Sequence, residues 1–393
     1  MNKKVVVPGG LGLFVVIIIM FNCIGKGKIE LDWTSVSSIP IIPDSIILNV
    51  YVENSGSMNG YMCSGSNLKD AVYDYVSDLK KNTTICNLFY INSRIIPCNV
   101  SLDNYIKNLD PSSFAKAGGN LKDTDLRSIF NLIMNRHEAN TVSVFVSDCI
   151  LDIPQSATAF FGNCQVSVKN TFNEAIAKIP DLGVEIVKLQ SKFDGYWYCG
   201  KNKQKLDGVK RPYYIWIIGD KNILAILNEK VPIAHIIGGI DDYCAYSTSQ
   251  PISFDIGQKR YAVNHSNIIN VDVLADLRPS LQEESFWENI DHYSPENPLQ
   301  TKVLTVTPIS SPGSKYSHVI NLEITSPQTL KAASFTLNYP EIAQWVKLSN
   351  DSTGIYNNSI DKTTGIQYLI QGVADAYRGH LIFGTIAFNL NNK

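Results

Sequence analysis

The 393-residue chain has no Cys-x-x-Cys pair, no Gly-x-x-x-x-Gly-Lys-Ser/Thr loop, no His-Glu-x-x-His and no Gly-x-Gly-x-x-Gly. Zinc ribbons, thioredoxin-type redox motifs, phosphate-cradling loops, zincin sites and dinucleotide turns therefore find no support. Gly56-Ser57-Met58-Asn59-Gly60 places its serine one position away from a Gly-x-Ser-x-Gly elbow, so no strained nucleophile turn is read there. Charge is scarce: Asp, Glu, Lys and Arg make up 18% of the residues, and the net charge is −2. With no basic patch and no acidic tail, nucleic acid has no electrostatic footprint to match. There is no internal repeat and no low-complexity segment. What remains is an ordinary globular composition, long enough for two domains.

The N-terminus is a separate piece. Met1-Asn2-Lys3-Lys4 is a short basic head, and Val5 to Ile24 is almost wholly apolar. Such a pair reads as a signal peptide or as a membrane anchor over 1–24. Cys23 follows the apolar core directly, where a bacterial lipoprotein carries its lipidated cysteine, although Asn22 departs from the small residue preferred there. Either reading tethers the remaining chain to a membrane, in the cell envelope and facing away from the cytoplasm. Residues 25–43 are expected to be a linker. Apart from Cys23, seven cysteines remain, an odd number. Cys86 and Cys98 sit on two neighbouring predicted strands and are the best disulfide candidate, with isolated buried thiols as the alternative.

From 44 to 240 the pattern alternates strand and helix. Leu68, Ala71, Val72, Tyr75, Val76 and Leu79 share one face of a helix over 68–81. Strands are predicted over 84–91, 94–100, 141–148, 183–189 and 212–218, and helices over 102–109, from Leu126, over 168–179 and over 222–228. Tyr196 to Val209 reads as a polar, lysine-rich loop or hairpin insertion. This alternation argues for α/β architecture: a parallel-rich central sheet flanked by helices. From 241 to 393 helical periodicity fades. Strands over 302–307, 318–325, 330–338 and 381–390 argue for an all-β, sandwich-like C-terminal domain. One helical patch, Ile366 to Tyr377, interrupts it, and 280–298 reads as a linker or surface loop.

Three oxygen-bearing pieces fall at predicted strand ends, where ligands of open α/β sheets collect. Ile47 to Val52 runs into Glu53-Asn54-Ser55-Gly56-Ser57, with the acid and both serines at alternate positions. Gly118-Gly119-Asn120-Leu121-Lys122-Asp123-Thr124-Asp125 opens the Leu126 helix, with Asp123 or Thr124 as its expected N-cap. Ser147-Asp148 ends the Thr141 strand. Hydroxyls and carboxylates together suit a hard cation such as Mg²⁺ rather than Zn²⁺. This set resembles the von Willebrand factor A (vWA) domain and its metal-ion-dependent adhesion site, Asp-x-Ser-x-Ser followed by a distal Thr and a distal Asp. The resemblance covers roughly 43–235. It implies a Rossmann-like sheet and a site for Mg²⁺ (or Mn²⁺ or Ca²⁺) on Glu53, Ser55, Ser57, Thr124 and Asp148. Glu53 stands where the family prefers Asp.

The resemblance implies a membrane-tethered binding module that meets a protein partner's carboxylate through the cation. Two alternatives stay open: a metal-independent scaffold of an envelope assembly, and a hydrolase using the cation as Lewis acid with an acid or His137 as base. Asp125 is placed at the site rim, and Tyr61 and Phe114 either wall the site or pack. His137 reads as a helix-dipole partner and His235 as a core histidine.

Overall fold

The structure, a computed structural model, describes residues 27–34, 43–122, 124–152, 157–199, 202–246, 252–338, 342–353, 360–378 and 382–392. The apolar leader and Cys23 lie outside them. No helix among the described residues is long and apolar enough to cross a membrane. The chain is mixed α/β, with several sheets.

The largest sheet has seven strands: β2 (Ile47–Glu53), β3 (Ile85–Ile91), β4 (Ile95–Pro97), β5 (Thr141–Ser147), β6 (Leu182–Cys199), β7 (Asn202–Asp220) and β8 (Asp242–Tyr246). Their spatial order is β4-β3-β2-β5-β7-β6-β8. β2 runs parallel to both neighbours, with Val50 opposite Leu88 on one side and Val144 on the other. Both faces of β2 and β5 are covered, which explains their apolar runs, each interrupted by one buried polar residue, Asn49 or Ser143. The expected parallel-rich sheet is corrected in one half. β7 pairs antiparallel with β5, and β6 and β7 form one long hairpin rather than separate strands around a loop. Within this sheet parallel pairing is confined to β3, β2 and β5, because parallel neighbours need a crossover and Tyr196 to Val209 belongs to the β6–β7 hairpin, the second of its two expected forms.

Helices cover both faces. α1 (Asn67–Lys81) buries the six apolar residues named from its periodicity, and Ser66 Oγ caps it by accepting from Leu68 N at 3.3 Å. α2 (Leu102–Lys107) and α3 (Pro111–Ala117) follow on that side. The opposite face holds α4 (Leu126–Arg136) and α5 (Ala157–Lys178), the latter starting well before its predicted position. α6 (Lys221–Lys230) returns to the α1 face.

The second unit is β-rich around one core. β1 (Lys28–Asp32), β10 (Arg260–Ala262), β12 (Tyr293–Pro295), β15 (Ala332–Asn338) and β18 (Ile382–Asn392) form a five-stranded antiparallel sheet. β9 (Ser253–Ile256), β11 (Ile268–Asp276), β13 (Thr301–Pro308) and β14 (His318–Thr325) form a four-stranded one. Alternating burial along β14 (inward Ile320, Leu322, Ile324) shows why both sheets face a shared core.

Three expectations about boundaries change. Part of the expected linker is β1, whose Ile29 and Leu31 are buried between β10 and β18. The segment 280–298 is not a bare linker: α7 (Glu284–Glu288) buries Phe286 and Trp287. The helix Ile366–Tyr377, here α9, leaves the β unit and packs with α8 (Gln344–Ser349) on α5. Gly372 makes this possible, since a Cβ there would lie 2.7 Å from Gln165 O. A two-residue parallel pair, β16 (Asn350–Asp351) with β17 (Thr363–Thr364), precedes it.

Cys86 and Cys98 are both free, half-buried thiols, so of the two expectations the disulfide is corrected and the isolated thiols remain. Cys98 N donates to Leu88 O, which puts Cys98 two residues out of register with Cys86.

Candidate functional site

β2 and β5 end side by side, and the three oxygen-bearing pieces meet at that rim. Ser55 and Ser57 turn toward each other, with their Oγ atoms 3.0 Å apart. The glycine loop is tied to this turn by Gly56 N donating to Leu121 O at 2.9 Å. Asn92 holds the loop, its Nδ2 donating to Gly118 O at 2.9 Å. Gly119 needs to be glycine: its φ is +81°, and a Cβ would meet Asn92 Oδ1 at 2.1 Å. Asp125, not Asp123 or Thr124, caps α4, accepting from Arg127 N at 3.0 Å. Asp123 lies outside the described residues. Asp125 also pairs with the Arg127 side chain at 2.8 Å.

The two carboxyls are deeply buried. Glu53 accepts a short hydrogen bond from Ser147 Oγ, and Ser147 Oγ in turn accepts from Cys149 N at 2.8 Å. Burial, and then the negative charge of Asp148, push the Glu53 carboxyl up to about 8, against smaller opposing effects of the Ser147 and Ser55 hydroxyls. Burial also raises Asp148, while the neighbouring Ser57 hydroxyl and the Arg211 guanidinium favour its ionised form. Asp148 Oδ1 accepts weakly from Ile150 N at 3.4 Å, and Oδ2 has no hydrogen bond. Thr124 Oγ1 is likewise enclosed without a partner.

Three participants were not assigned from sequence. Ser147 is the Glu53 donor. Asn54 is fully buried with neither side-chain polar atom bonded. Arg211 is only 1% exposed, and its Nε and Nη1 make no hydrogen bond. It comes from β7, stacks over Phe193 at 5.5 Å, and supplies the positive charge nearest Tyr61 and Asp148. Position next to an assigned acid could have flagged Ser147. No spacing rule reaches Arg211, because it arrives from a strand more than sixty residues later.

The remaining candidates are not among the oxygen donors of the rim. Tyr61 and Phe114 are core residues, and Tyr61 Oη donates to Pro212 O at 2.5 Å. His137 Nδ1 is 3.0 Å from Ser143 Oγ, four residues back along β5 from Ser147. Burial lowers its pKa to about 4, so it is a neutral ring and not a charged dipole partner. His235 is exposed rather than in the core.

Oxygen donors that lack hydrogen bonds at a two-carboxyl rim fit a hard cation chemically. No cluster of three His, Cys, Asp or Glu exists among the described residues, so any ion here depends on hydroxyl ligands. Family models, curated proteins and solved structures give no match to this chain.

Proposed function

We propose that the chain is a binding module of the vWA type, tethered to the cell envelope by its N-terminal segment. In this reading Glu53, Ser55, Ser57, Thr124 and Asp148 hold a divalent cation, Mg²⁺ or a similar hard ion. The single observation that carries it is two enclosed, unbonded oxygens, Asp148 Oδ2 at the end of β5 and Thr124 Oγ1 three residues along the loop that Leu121 ties to the serine turn. Each such orphan costs about 1–3 kcal/mol, so a chain that keeps both is better explained by a ligand than by packing. When bound, the ion supplies a partly dehydrated positive charge that attracts a partner's carboxylate. The residues of the chain do the rest: Ser147 orients Glu53, and Asn92 and Gly119 set the loop that brings Thr124 in.

Arg211 favours a second reading. A buried guanidinium beside Asp148 already offsets charge there, and in a metal-independent scaffold it serves in place of the ion. Titrating the full chain with Mg²⁺ or Mn²⁺ while following the unfolding midpoint separates the two. At a hundredfold excess over Kd, binding adds about 2.7 kcal/mol. That gain should vanish in Ser55→Ala/Ser57→Ala. No gain in the parent chain would leave the scaffold.

A further inference from the structure

β7 pairs with β5 only as far as Tyr214 opposite Ser147, and β6 with β8 only as far as Lys188 opposite Asp242. Beyond these points β6 and β7 pair with each other, out to Cys199 opposite Asn202. The hairpin therefore projects as an arm from the rim that carries Asp148.

Its two faces differ. The inner face buries Phe193, Trp197 and Leu206. It lies against the 3-10 turn Met58–Met62, which directly follows Ser57. The approach is backbone to backbone: a Cβ on Gly195 would lie 2.6 Å from Gly60 Cα, and one on Gly60 2.2 Å from the Phe193 ring. The arm is thus held in a fixed place beside the serine turn. The outer face shows three cross-strand pairs, Lys192 with Lys210, Tyr196 with Lys205 and Tyr198 with Lys203. All six are exposed. Lys203 Nζ sits 3.8 Å from the Tyr196 ring centroid and 5.7 Å from that of Tyr198. None of the four lysines forms an ion pair among the described residues. Asp194 and Asp207 fall where the register shifts, leaving four cations against two anions on a chain whose net charge is −2.

The geometry points to this outer face as the docking surface for an acidic protein segment, which lies along the arm and ends at the rim. Charge complementarity selects the segment's chemistry, and two tyrosines add flat contact area with hydroxyl donors. Lipid is disfavoured because the arm's large apolar side chains point inward, leaving no wedge for a bilayer. Nucleic acid is disfavoured by the two aspartates and by the carboxyl pair at the base. The inference deepens the proposed reading by naming the partner's chemistry. It rests on that reading only for where the segment ends.

The test uses the full chain and a fluorescein-labelled poly-glutamate peptide, followed by anisotropy in EDTA and in Mg²⁺. Binding is expected in EDTA and tighter in Mg²⁺. Lys203→Glu/Lys205→Glu should weaken it about tenfold or more in both buffers. Reversing the exposed Lys80 and Lys107, an equal change in net charge away from the arm, should leave affinity within about twofold. Loss in the arm variant with no Mg²⁺ effect in the parent upholds the arm and sinks the cation. A Mg²⁺ effect that survives arm reversal at full affinity sinks the arm and upholds the cation. Tighter arm-dependent binding to phosphatidylglycerol vesicles or to oligo-dT overturns the protein-segment assignment.

Discussion

The rim of the seven-stranded sheet and the junction under the β unit both bury polar side chains, yet they treat them differently. At the junction Trp287 Nε1 donates to Ser280 Oγ at 2.7 Å, and Ser280 Oγ donates onward to Leu277 O at 2.7 Å. Gln282 Nε2 donates to Ala245 O on β8 at 2.7 Å, fastening the two units together. Glu283 Oε1 is the exception there. At the rim Asp148, Thr124, Asn54 and Arg211 all keep buried atoms without partners. The same chain that closes one polar network leaves another open. Since buried polar atoms are nearly always paired, the open one marks where a ligand or partner is to be sought.

The strongest way to break this contrast is Arg211→Met. Removing the guanidinium that favours ionised Asp148 should cost about 4 kcal/mol. Urea unfolding in EDTA measures it, and Mg²⁺ should recover part of the loss if the rim takes an ion. A cost below about 1 kcal/mol would mean that Arg211 offsets nothing and that the rim is no more strained than the junction.

The difference between the regions also explains what could be read in the sequence. Local patterns carried through: the α1 face from Leu68 to Leu79, the largely apolar runs of β2 and β5, and the alternation along β14. Glu53, Ser55, Ser57 and Asp148 could be proposed as one group because each sits at or just past a strand end, and strand ends gather on one rim. Long-range choices did not carry through. Nothing local says that β7 turns back beside β5, that Ile29 and Leu31 join a sheet built from the C-terminal third, or that α9 crosses to α5. Arg211 was missed for the same reason, since its place depends on the hairpin. Cys86 and Cys98 show the opposite failing: neighbouring strands were read correctly, but register, which decides whether two thiols meet, was not.

A smaller effect sharpens the contrast from the interior. Glu185 is fully buried on β6, with Oε1 accepting from Asn228 Nδ2 at 2.6 Å and Oε2 unbonded. Burial pushes its carboxyl from 4.5 up to about 8. Below 4.5 it is protonated in folded and unfolded chains alike and contributes nothing to the pH dependence. Between 4.5 and 8 only the unfolded chain releases the proton, so stability falls as pH rises, by up to about 1.4 kcal/mol per unit. Glu185→Gln keeps the Asn228 contact and removes this slope. After allowance for water penetration, it should gain about 2 kcal/mol at pH 8 and little at pH 4.5. Glu53 adds a slope of the same sign that survives in the variant. Parallel stability-versus-pH curves for parent and variant would show Glu185 ionised in the fold.

The smallest effect concerns the closed network itself. Ser280→Ala removes the acceptor of the Trp287 indole and the donor to Leu277 O, so it should cost about 1.5 kcal/mol. The indole N–H is then buried without a partner, which is the state the rim atoms occupy in the parent chain. The variant should respond to Mg²⁺ as fully as the parent, because the junction offers no carboxyl pair to an ion. Ser55→Ala/Ser57→Ala is the matched change at the rim: also serine to alanine, but on hydroxyls 3.0 Å from each other that face the two carboxyls. It should cost less in EDTA and remove the Mg²⁺ response. If instead both variants lose stability equally and neither alters the response to the ion, then open and closed networks do the same job, and the unbonded rim oxygens are a packing feature of the sheet end.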